Sequence, residues 1–473
     1  MEILPYELLV NALKYTSKIS LLFKSSKILK HCVSFLDHQV IILKNFDFRD
    51  NWDRFNVIAV KNDKHKKITI RKNGTIKNMP KSLLYLHVGH PLNKDFKLQI
   101  ISLPNNLKYL FLDNYIINTV PYGVTHYICD NYIYNGWDLP SLPQFSETVT
   151  HLNTCFYDHN IKKLNTLTHL TIYVIEPPPP LELPVNLKKL KISGNITHPL
   201  DKFPISLTHL IINSRNCKLP KWPITLIFLK MSHEFKIFDF PLFLTYLTCA
   251  SKSIKGLKWP IHLTHLHLYD MVYIRRFPEN LECLNVEPLQ SSHFNILPFC
   301  PSINIQMGFA HSTLKLKNDI KKLDLGLSFP SYRMNVILDS IKKSNITHLI
   351  IRGDNTENDV VLWLNDLLND DMTKLTHLKL TGEYRSEIDK LPKTITHLIF
   401  KMGIGTFTKY PPKLKFLSIN IMDDYPSFLP NTLKYLSCDS IIRFVLPKSL
   451  IYLRTRYRCF NLIPSFVKFV VLI

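Results

Sequence analysis

The feature that most constrains the fold is a short motif that recurs along most of the chain. In FPISLTHLII the motif runs proline, two residues, leucine, two residues, leucine, one residue and an apolar residue; it starts at Pro204 and again at Pro223 in WPITLIFLKM. Fourteen copies start with a proline, at Pro80, Pro104, Pro121, Pro184, Pro204, Pro223, Pro241, Pro260, Pro278, Pro392, Pro411, Pro430, Pro447 and Pro464. Five more lack the proline and appear at Val149, Leu167, Ile320, Ile346 and Leu375. About nineteen copies, mostly 17 to 20 residues apart, predict a solenoid rather than one compact core.

A single copy of the motif explains why the copies must stack. In LKKLKI, Leu190 and Ile192 alternate with lysines, which predicts a short strand with one apolar face. So short a strand cannot bury that face alone, whereas stacked copies form a parallel sheet over a continuous core. The proline fixes φ and lacks an N–H, so it suits a turn or an extended return path. We therefore expect an α/β solenoid of short parallel strands.

The spacing L-x-x-L-x-L with an adjoining LP or WP resembles the leucine-rich repeat, in the short, proline-bearing class found in bacterial effectors. It is also similar to the FNIP-type repeats of amoebae and their large DNA viruses. The resemblance implies a leucine-rich-repeat superhelix with a parallel β-sheet on its concave face and mostly extended or 3-10 return segments. One departure is that the asparagine after the second strand leucine is present at Asn195 but missing from most copies. Other groups must then satisfy the backbone of those turns.

The order of motifs predicts three regions. Residues 1–45 are a helical segment, 46–76 a connector or first cap, and 77–473 the repeat array, in which the irregular stretch 287–318 would mark a break. Two copies are spaced 26 and 29 residues from the copy before, and their inserts YRMNVILDSIKKS and TENDVVLWLNDLLNDD have apolar residues at helical spacing. We expect these inserts as convex helices near 330–371, with apolar faces at Val336, Ile337, Ile341, Val361, Leu362, Leu364, Leu367 and Leu368.

The residue just before each central strand leucine is expected to face the concave side, where it forms a column rich in histidine and aromatic rings. The triplet THL supplies seven of the histidines, and THY an eighth. We predict that a protein partner binds this column at His126, His151, His169, His209, Phe228, Tyr246, His265, His348, His377, His397, Phe416 and Tyr435. Three other interpretations stay open: a metal site at a run of histidines, a pH-sensitive surface, and a stack that only stiffens the solenoid. No acidic residue recurs beside the histidines, so we assign no metal site.

The first forty residues differ from the repeats and predict three short helices. LPYELL followed by ISLLFKSSKIL resembles an F-box, the module that docks a substrate receptor onto a ubiquitin-ligase scaffold through a Skp1-type adaptor. Carried over by position, the resemblance implies a docking face formed by Leu4, Pro5, Leu8, Leu9, Leu13 and Leu22. The alternative is a helical cap that covers the open core of the first coil. Because F-boxes commonly precede leucine-rich repeats, the resemblance implies a substrate receptor for an SCF-type ubiquitin ligase.

The net charge of +22 raises the question of nucleic acid as a partner. Of the 59 basic residues 46 are lysines, spread along the chain, and no nucleic-acid-binding motif accompanies them. A basic nucleic-acid-binding repeat protein is therefore the alternative, and a protein-interaction scaffold is the preferred interpretation.

The chain has no phosphate-binding glycine loop, G-x-S-x-G, H-E-x-x-H or paired cysteines, so we predict no enzyme, no catalytic residue and no cofactor. It begins without a signal-peptide pattern, and no apolar run is long enough to cross a bilayer. The nine cysteines stand singly, which is typical of a reducing compartment. We expect the protein to be located in the cytoplasm, which would be the cytoplasm of the host cell if the chain is viral. The sequence assigns no oligomeric state, although a second copy could cover the last coil.

Overall fold

The computed structural model describes residues 58–59, 67–70, 74–76, 79, 83–88, 98–100, 103–113, 117–130, 143–154, 159–174, 182–195, 200, 202–215, 219–235, 237–269, 274, 276–289, 300–307, 319–327, 341–353, 364–368, 372–382, 388, 391–402, 408–419, 428–439, 441, 444–455 and 463–472. The chain forms two compact units, Met1–Phe235 and Lys236–Ile473. The predicted helical segment 1–45, with the F-box-like residues Leu4, Pro5, Leu8, Leu9, Leu13 and Leu22, lies outside the described residues.

The first unit is a stack of parallel strands. Its described strands are β1 (Ile58–Ala59), β2 (Lys67–Ile70), β3 (Gly74–Ile76), β4 (Tyr85–Val88), β5 (Leu98–Ile100), β6 (Tyr109–Asp113), β7 (His126–Asp130), β8 (His151–Thr154), β9 (His169–Val174), β10 (Lys189–Asn195), β11 (His209–Arg215) and β12 (Phe228–Met231). From β2 through β4 and β6 to β12, each strand pairs in parallel with the next. Strand β1 lies antiparallel to β2, and β3 pairs with β5 in a separate parallel sheet.

The second unit repeats the same arrangement. Its described strands are β13 (Tyr246–Cys249), β14 (His265–Leu268), β15 (Cys283–Leu289), β16 (Ser302–Met307), β17 (Lys322–Leu327), β18 (His348–Gly353), β19 (His377–Gly382), β20 (His397–Met402), β21 (Phe416–Ile419), β22 (Tyr435–Cys438), β23 (Tyr452–Thr455) and β24 (Phe469–Leu472). Each pairs in parallel with the next. The predicted solenoid of short, stacked parallel strands is therefore confirmed within each unit.

The core consists of the three apolar positions of the motif. In the coil of β11, Leu207, Leu210 and Ile212 have no exposed surface, and equivalent residues of neighbouring coils are buried beside them. Burying one such side chain stabilises a fold by roughly 1.5–3 kcal/mol, so a row of them holds each coil to the next. Where a cysteine takes the last position, as at Cys249 and Cys438, the thiol is also buried. These thiols act as small apolar side chains.

The motif proline opens the turn that leads into each strand. The carbonyl of Pro204 accepts a hydrogen bond from the Leu207 N–H at 3.1 Å, and that of Pro430 accepts one from Leu433 at 3.0 Å. The residue before the leucine then ties the turn to the preceding coil. Thr225 Oγ1 lies 2.6 Å from the Ile205 carbonyl oxygen and 2.8 Å from that of Leu207.

Serine, threonine and asparagine recur at this turn position. Comparable side-chain bonds to the preceding coil are made by Thr166, Asn186, Ser206, Asn280, Thr394, Thr432 and Ser449. These side chains satisfy turn carbonyls in an array where the usual asparagine is mostly missing.

The return segments contain little helix among the described residues. A 3-10 helix spans His159–Lys163 in the first unit and another spans Ser251–Ile254 in the second. In the two long inserts, residues 341–342 and 364–367 are α-helical. Ile341, Leu364, Leu367 and Leu368 are buried, as the predicted apolar faces require. Four further residues of those predicted faces, Val336, Ile337, Val361 and Leu362, lie outside the described residues.

The irregular stretch 287–318 contains strand β16, to which the sequence analysis assigned no repeat. Strand β16 pairs in parallel with β15 on one side and β17 on the other, with Ile303 facing Leu284 and Leu323. Ile303 and Ile305 are fully buried, so the coil uses the same core positions as its neighbours. The register shifts between Val286 and Leu289, where β15 meets β16.

Across the part of the chain that the structure describes, no helix is long and apolar enough to cross a bilayer.

Candidate functional site

The first residue of every repeat strand lies on the face of the sheet opposite the core, which we call the exposed sheet face. The strand register places these residues side by side in what we call the ring column. In the first unit the ring column comprises Tyr85, Tyr109, His126, His151, His169, Lys189, His209 and Phe228. In the second it comprises Tyr246, His265, Cys283, Ser302, Lys322, His348, His377, His397, Phe416, Tyr435, Tyr452 and Phe469. All twelve predicted partner-binding residues therefore occupy one structural position; that a partner binds them stays a prediction.

Histidine rings of consecutive strands stack face to face. In the first unit the ring centroids of His126 and His151 are 3.9 Å apart, and those of His151 and His169 are 4.0 Å apart, with ring planes 14° from parallel in both pairs. In the second unit His377 stacks on His348 at 4.0 Å and on His397 at 4.1 Å. These separations are shorter than the roughly 4.8 Å between strands, so the rings lean into contact.

A threonine before each of the eight ring-column histidines fixes its ring. Thr376 Oγ1 lies 2.9 Å from Nδ1 of His377 and 3.2 Å from the carbonyl oxygen of Thr347 in the preceding coil. The other seven pairs have the same 2.9 Å contact, at His126, His151, His169, His209, His265, His348 and His397. We call this arrangement the threonine clamp.

The threonine clamp determines which ring nitrogen carries the proton. A hydroxyl has one proton, and a carbonyl oxygen can only accept, so the threonine donates to the carbonyl and accepts from the ring. Nδ1 of each neutral imidazole is therefore protonated, and Nε2 is an acceptor. The same carbonyl also accepts two backbone N–H groups: those of Thr376 and His377 both lie 3.0 Å from the Thr347 oxygen.

Burial and stacking keep these imidazoles neutral. Burial, followed by the charges of neighbouring histidines, lowers the pKa of His169 and of His377 to about 4. Burial also lowers the pKa of His126 and His397, with smaller contributions from His151 to the first and from His348 and Lys415 to the second. A proton on one ring would place a charge about 4 Å from the next, so the stack resists protonation until the solution is acidic.

Phenylalanine and tyrosine members of the ring column pack less regularly. Tyr85 and Tyr109 have centroids 6.0 Å apart at 33°, Phe416 and Tyr435 are 6.4 Å apart at 35°, and Tyr435 and Tyr452 are 6.0 Å apart at 42°. Tyr109 and Tyr435 are 40% and 41% exposed. These two rings are partly open to the solvent, whereas Tyr452 is buried at 8% exposure.

The exposed sheet face of the second unit also carries an ion pair and a histidine–glutamate contact that the sequence analysis missed. Arg352 Nε lies 3.0 Å from Asp324 Oδ1, and its Nη2 lies 3.0 Å from Asn304 Oδ1, so the arginine connects three successive strands. His267 Nε2 lies 3.0 Å from Glu287 Oε1. Asn304, Asp324 and His267 directly follow the central apolar residue of their strands, whereas Arg352 and Glu287 stand three residues after it. Strand alternation places both positions on the face of the ring column, and this is the signal that could have found them.

Turn residues after several prolines are apolar and exposed. In the first unit Val185, Ile205 and Ile224 occupy this position in successive coils and are 63%, 83% and 62% exposed. In the second unit Leu242 and Ile261 are 57% and 69% exposed. The repeat pattern did not single them out, because it followed only the buried positions and the ring column.

No group of three or more His, Cys, Asp or Glu residues suited to a metal ion is found in the described ranges. In each stack the Nδ1 atoms are engaged by threonines, and the Nε2 atoms belong to parallel rings. Such lone pairs point the same way rather than converging on one ion. The geometry therefore gives the metal alternative no support.

No protein-family model matches the chain, and no curated protein matches it. Among solved structures it is similar to CroV588, described as a novel circular LRR protein structure, with 19% identity and a TM-score of 0.40 over 85% of this chain and 78% of that chain. It is also similar to YopM from Yersinia enterocolitica WA-314, with 17% identity and a TM-score of 0.32 over 82% of this chain and 91% of that chain. The fold follows from the chain's own strand register and buried columns.

Proposed function

We propose that the chain is a non-enzymatic protein-interaction scaffold and that a protein partner binds its exposed sheet face along the ring column. The observation that carries the proposal is the ring column itself, in which half-exposed rings recur at one position on successive strands. Rings with an apolar body and a polar edge are common anchors of protein interfaces. At about 4.8 Å per strand the ring column extends over about 34 Å in the first unit and about 53 Å in the second. Such lengths fit a protein surface better than a metabolite.

The state of the histidines favours binding over catalysis. A general base works best with a pKa near the operating pH and with a partner that orients it toward a substrate. Here burial and stacking lower the pKa of His169 and His377 to about 4, and the threonine clamp ties each ring to the neighbouring coil. These features support a structural and recognition role for the imidazoles.

Affinity capture tests the proposal. The tagged full-length chain is used to capture proteins from its native cells, beside a variant carrying His348→Ser and Tyr435→Ser, two exposed members of the ring column. The matched control carries Phe428→Ser and Val445→Ser, which are 76% and 58% exposed in neighbouring turns. We expect a specific protein to be captured by the wild type and the control and lost by the ring-column variant. A partner retained equally by all three would refute binding at the ring column.

We further propose that the chain is a substrate receptor of an SCF-type ubiquitin ligase and acts in the cytoplasm. The F-box-like sequence at Leu4, Pro5, Leu8, Leu9, Leu13 and Leu22 supports the receptor role, and five free cysteines in the described part of the chain support a reducing compartment. A Skp1-type adaptor should bind the wild-type chain and should be lost from the variant with Leu8→Asp and Leu9→Asp. If the wild type fails to bind the adaptor, the ubiquitin-ligase role is excluded and the scaffold role remains.

A further inference from the structure

Near the carboxyl end of the second unit, lysine replaces threonine at the position before the ring column. Lys415, Lys434 and Lys468 precede Phe416, Tyr435 and Phe469 in β21, β22 and β24, and Ile451 takes the position in β23. The backbone N–H of Lys434 bonds to the Lys415 carbonyl at 2.8 Å, and that of Lys468 to Ile451 at 3.0 Å. The register thus aligns the three side chains along one edge of the ring column, which we call the lysine row.

The lysine row spans about 14 Å, since neighbouring strands are about 4.8 Å apart. All three lysines are exposed. None of them makes an ion pair within the part of the chain that the structure describes. Among the described residues, the row therefore offers three ammonium groups without an ion-pair partner, and aromatic residues of the ring column follow each lysine in sequence.

The surrounding sequence is strongly basic. Residues 408–473 contain ten lysines and arginines against three aspartates, a net charge of +7, whereas the entire 473-residue chain carries +22. Asp439 is the one acidic residue described in this stretch, and it lies five residues beyond Lys434, past the end of β22. Positive charge therefore dominates the field along this edge, and a basic field attracts an acidic partner and steers its approach.

Lysine at this position does not make the side-chain hydrogen bond that joins a histidine coil to the preceding coil. In the eight histidine coils the threonine hydroxyl donates to the preceding coil's carbonyl, as Thr396 does to Thr376 at 3.2 Å. A lysine cannot reproduce that hydroxyl, so each coil of the lysine row lacks one bond that the histidine coils have. The side chains point into solvent instead. Lysine also occupies this position singly, at Lys108, Lys188 and Lys321, whereas Lys415, Lys434 and Lys468 cluster within four consecutive strands.

We propose that the lysine row binds an extended acidic segment, rich in aspartate and glutamate, of the protein partner. The segment runs across the strands along the row, with its carboxylates on the three ammonium groups and its apolar side chains on Phe416 and Tyr435. An extended chain places side chains of one face about 6.6 Å apart. Two or three of its carboxylates therefore fit within the row. This inference rests on the proposed function and specifies which chemistry the partner contributes.

The test uses the full chain and a fluorescent decapeptide of alternating glutamate and leucine, with binding measured by anisotropy. The variant carries Lys415→Glu, Lys434→Glu and Lys468→Glu. The matched control carries Lys108→Glu, Lys188→Glu and Lys321→Glu, which occupy the same position before the ring column in the separate coils of β6, β10 and β17 and are equally exposed. Both variants change the net charge by the same amount, so only the lysine row distinguishes them.

We expect the row variant to weaken peptide binding by about tenfold or more and the control by less than about twofold. Wild-type binding should also weaken as salt is raised from about 0.05 M to about 0.3 M. Equal losses in both variants would mean that net charge alone attracts the peptide, and no binding by the wild type would also overturn the proposal. A twelve-nucleotide oligouridine that binds more tightly than the peptide, with the same sensitivity to the row variant, would instead assign the row to nucleic acid.

The captured partner separates this inference from the proposed function. If the row variant still captures the partner that the His348→Ser and Tyr435→Ser variant loses, the scaffold function stands and the acidic-segment inference fails. If both variants lose the partner, both hold. Thermal unfolding of the row variant and the control should agree, because all six lysines are exposed.

Discussion

Two segments of the second unit share one kind of core and differ on the exposed sheet face. In β18 to β20 the ring column is His348, His377 and His397, with rings 4.0–4.1 Å apart and 10–14° from parallel. In β21 to β23 it is Phe416, Tyr435 and Tyr452, with rings 6.0–6.4 Å apart and tilted by 35–42°. The central leucines beneath both segments are buried. The core therefore does not determine how regularly the rings of the ring column stack.

The residue before the ring explains the difference. In the histidine segment the threonine hydroxyl oxygen accepts a hydrogen bond from Nδ1–H and holds each imidazole in one orientation. In the aromatic segment the same position is Lys415, Lys434 or Ile451, none of which can hold a ring by a hydroxyl. Phenylalanine and tyrosine also have no ring nitrogen to accept or donate. Their rings settle in the tilted arrangements that aromatic pairs commonly adopt.

The largest expected effect tests whether the two segments share one core. Leu378→Ala in β19 and Leu436→Ala in β22 each remove a buried central leucine and should each cost about 2–5 kcal/mol of unfolding free energy. Urea unfolding followed by circular dichroism measures both. Because the cores are alike, we expect the two costs to agree within about 1 kcal/mol. A much larger cost in the histidine segment would show that the stacked rings and the core are coupled.

A smaller effect should come from breaking one threonine clamp. Thr376→Val keeps the shape of the side chain and removes its bonds to the Thr347 carbonyl and to His377 Nδ1. Urea unfolding should show a loss of about 1–2 kcal/mol, since one half-buried hydroxyl no longer satisfies its partners. Thr376→Ser retains the hydroxyl and should recover most of the loss. If serine and valine destabilise equally, the hydroxyl is not what holds the ring.

The pH dependence should also separate the two segments. The pKa of His377 is about 4 in the folded chain, below its ordinary value of 6.5. The unfolded chain therefore takes up a proton at higher pH than the folded chain, and stability is lost as pH falls from 6.5 towards 4. We expect the midpoint of thermal unfolding to drop between pH 6.5 and pH 5, before most carboxylates titrate.

A variant with His348→Gln, His377→Gln and His397→Gln isolates this acid effect. It should lose less stability between pH 6.5 and pH 5 than the wild type does. The comparison variant Phe416→Leu with Tyr435→Leu should keep the wild-type acid response, because it leaves all eight threonine-clamped histidines in place. An acid response that persists unchanged in the glutamine variant would assign the effect to other groups.

The smallest effect comes from converting one aromatic coil into a histidine coil. Lys434→Thr with Tyr435→His supplies a threonine clamp in β22, and the stability should change by less than about 0.5 kcal/mol because the site is exposed. A crystal structure should show the new imidazole closer to parallel with Phe416 than the present 35°. The existing pair that this variant imitates is His397 and Phe416, whose ring planes are 20° apart. A ring that stays tilted would contradict the role given to the threonine.

Local spacing was sufficient to predict the strands, their core positions and the ring column. The last two apolar residues of the motif are two positions apart, which is the period of a strand, and the recurrence of the motif favours stacking as the way to cover so short a strand. This is why Leu210 and Ile212, and the ring-column member His209 beside them, could be assigned from sequence. Each of these assignments depends on residues within a few positions of one another.

Interactions between coils could not be predicted in the same way. The threonine clamp needs the carbonyl of the preceding coil, and Arg352 meets Asp324 and Asn304 across 28 and 48 residues of chain. Contacts between residues so far apart in the chain cannot be recognised from the spacing of residues within one motif. Strand β16 was missed for a different reason: Pro298 stands two residues before Cys300 instead of three before a leucine. The buried Cys300 fills the core position all the same.

The carbonyl that gathers three donors also has a mechanical consequence. In each histidine coil one oxygen of the preceding coil receives two N–H groups and a hydroxyl, as Thr376 O does from Thr396 and His397. Tension along the stack would act on these three bonds and on the strand pairing that follows them. Once those bonds break, the 20 residues from Leu378 to His397 would be released, roughly 65 Å of extended chain. Stretched in an optical trap, the molecule would lengthen in discrete steps, one coil at a time.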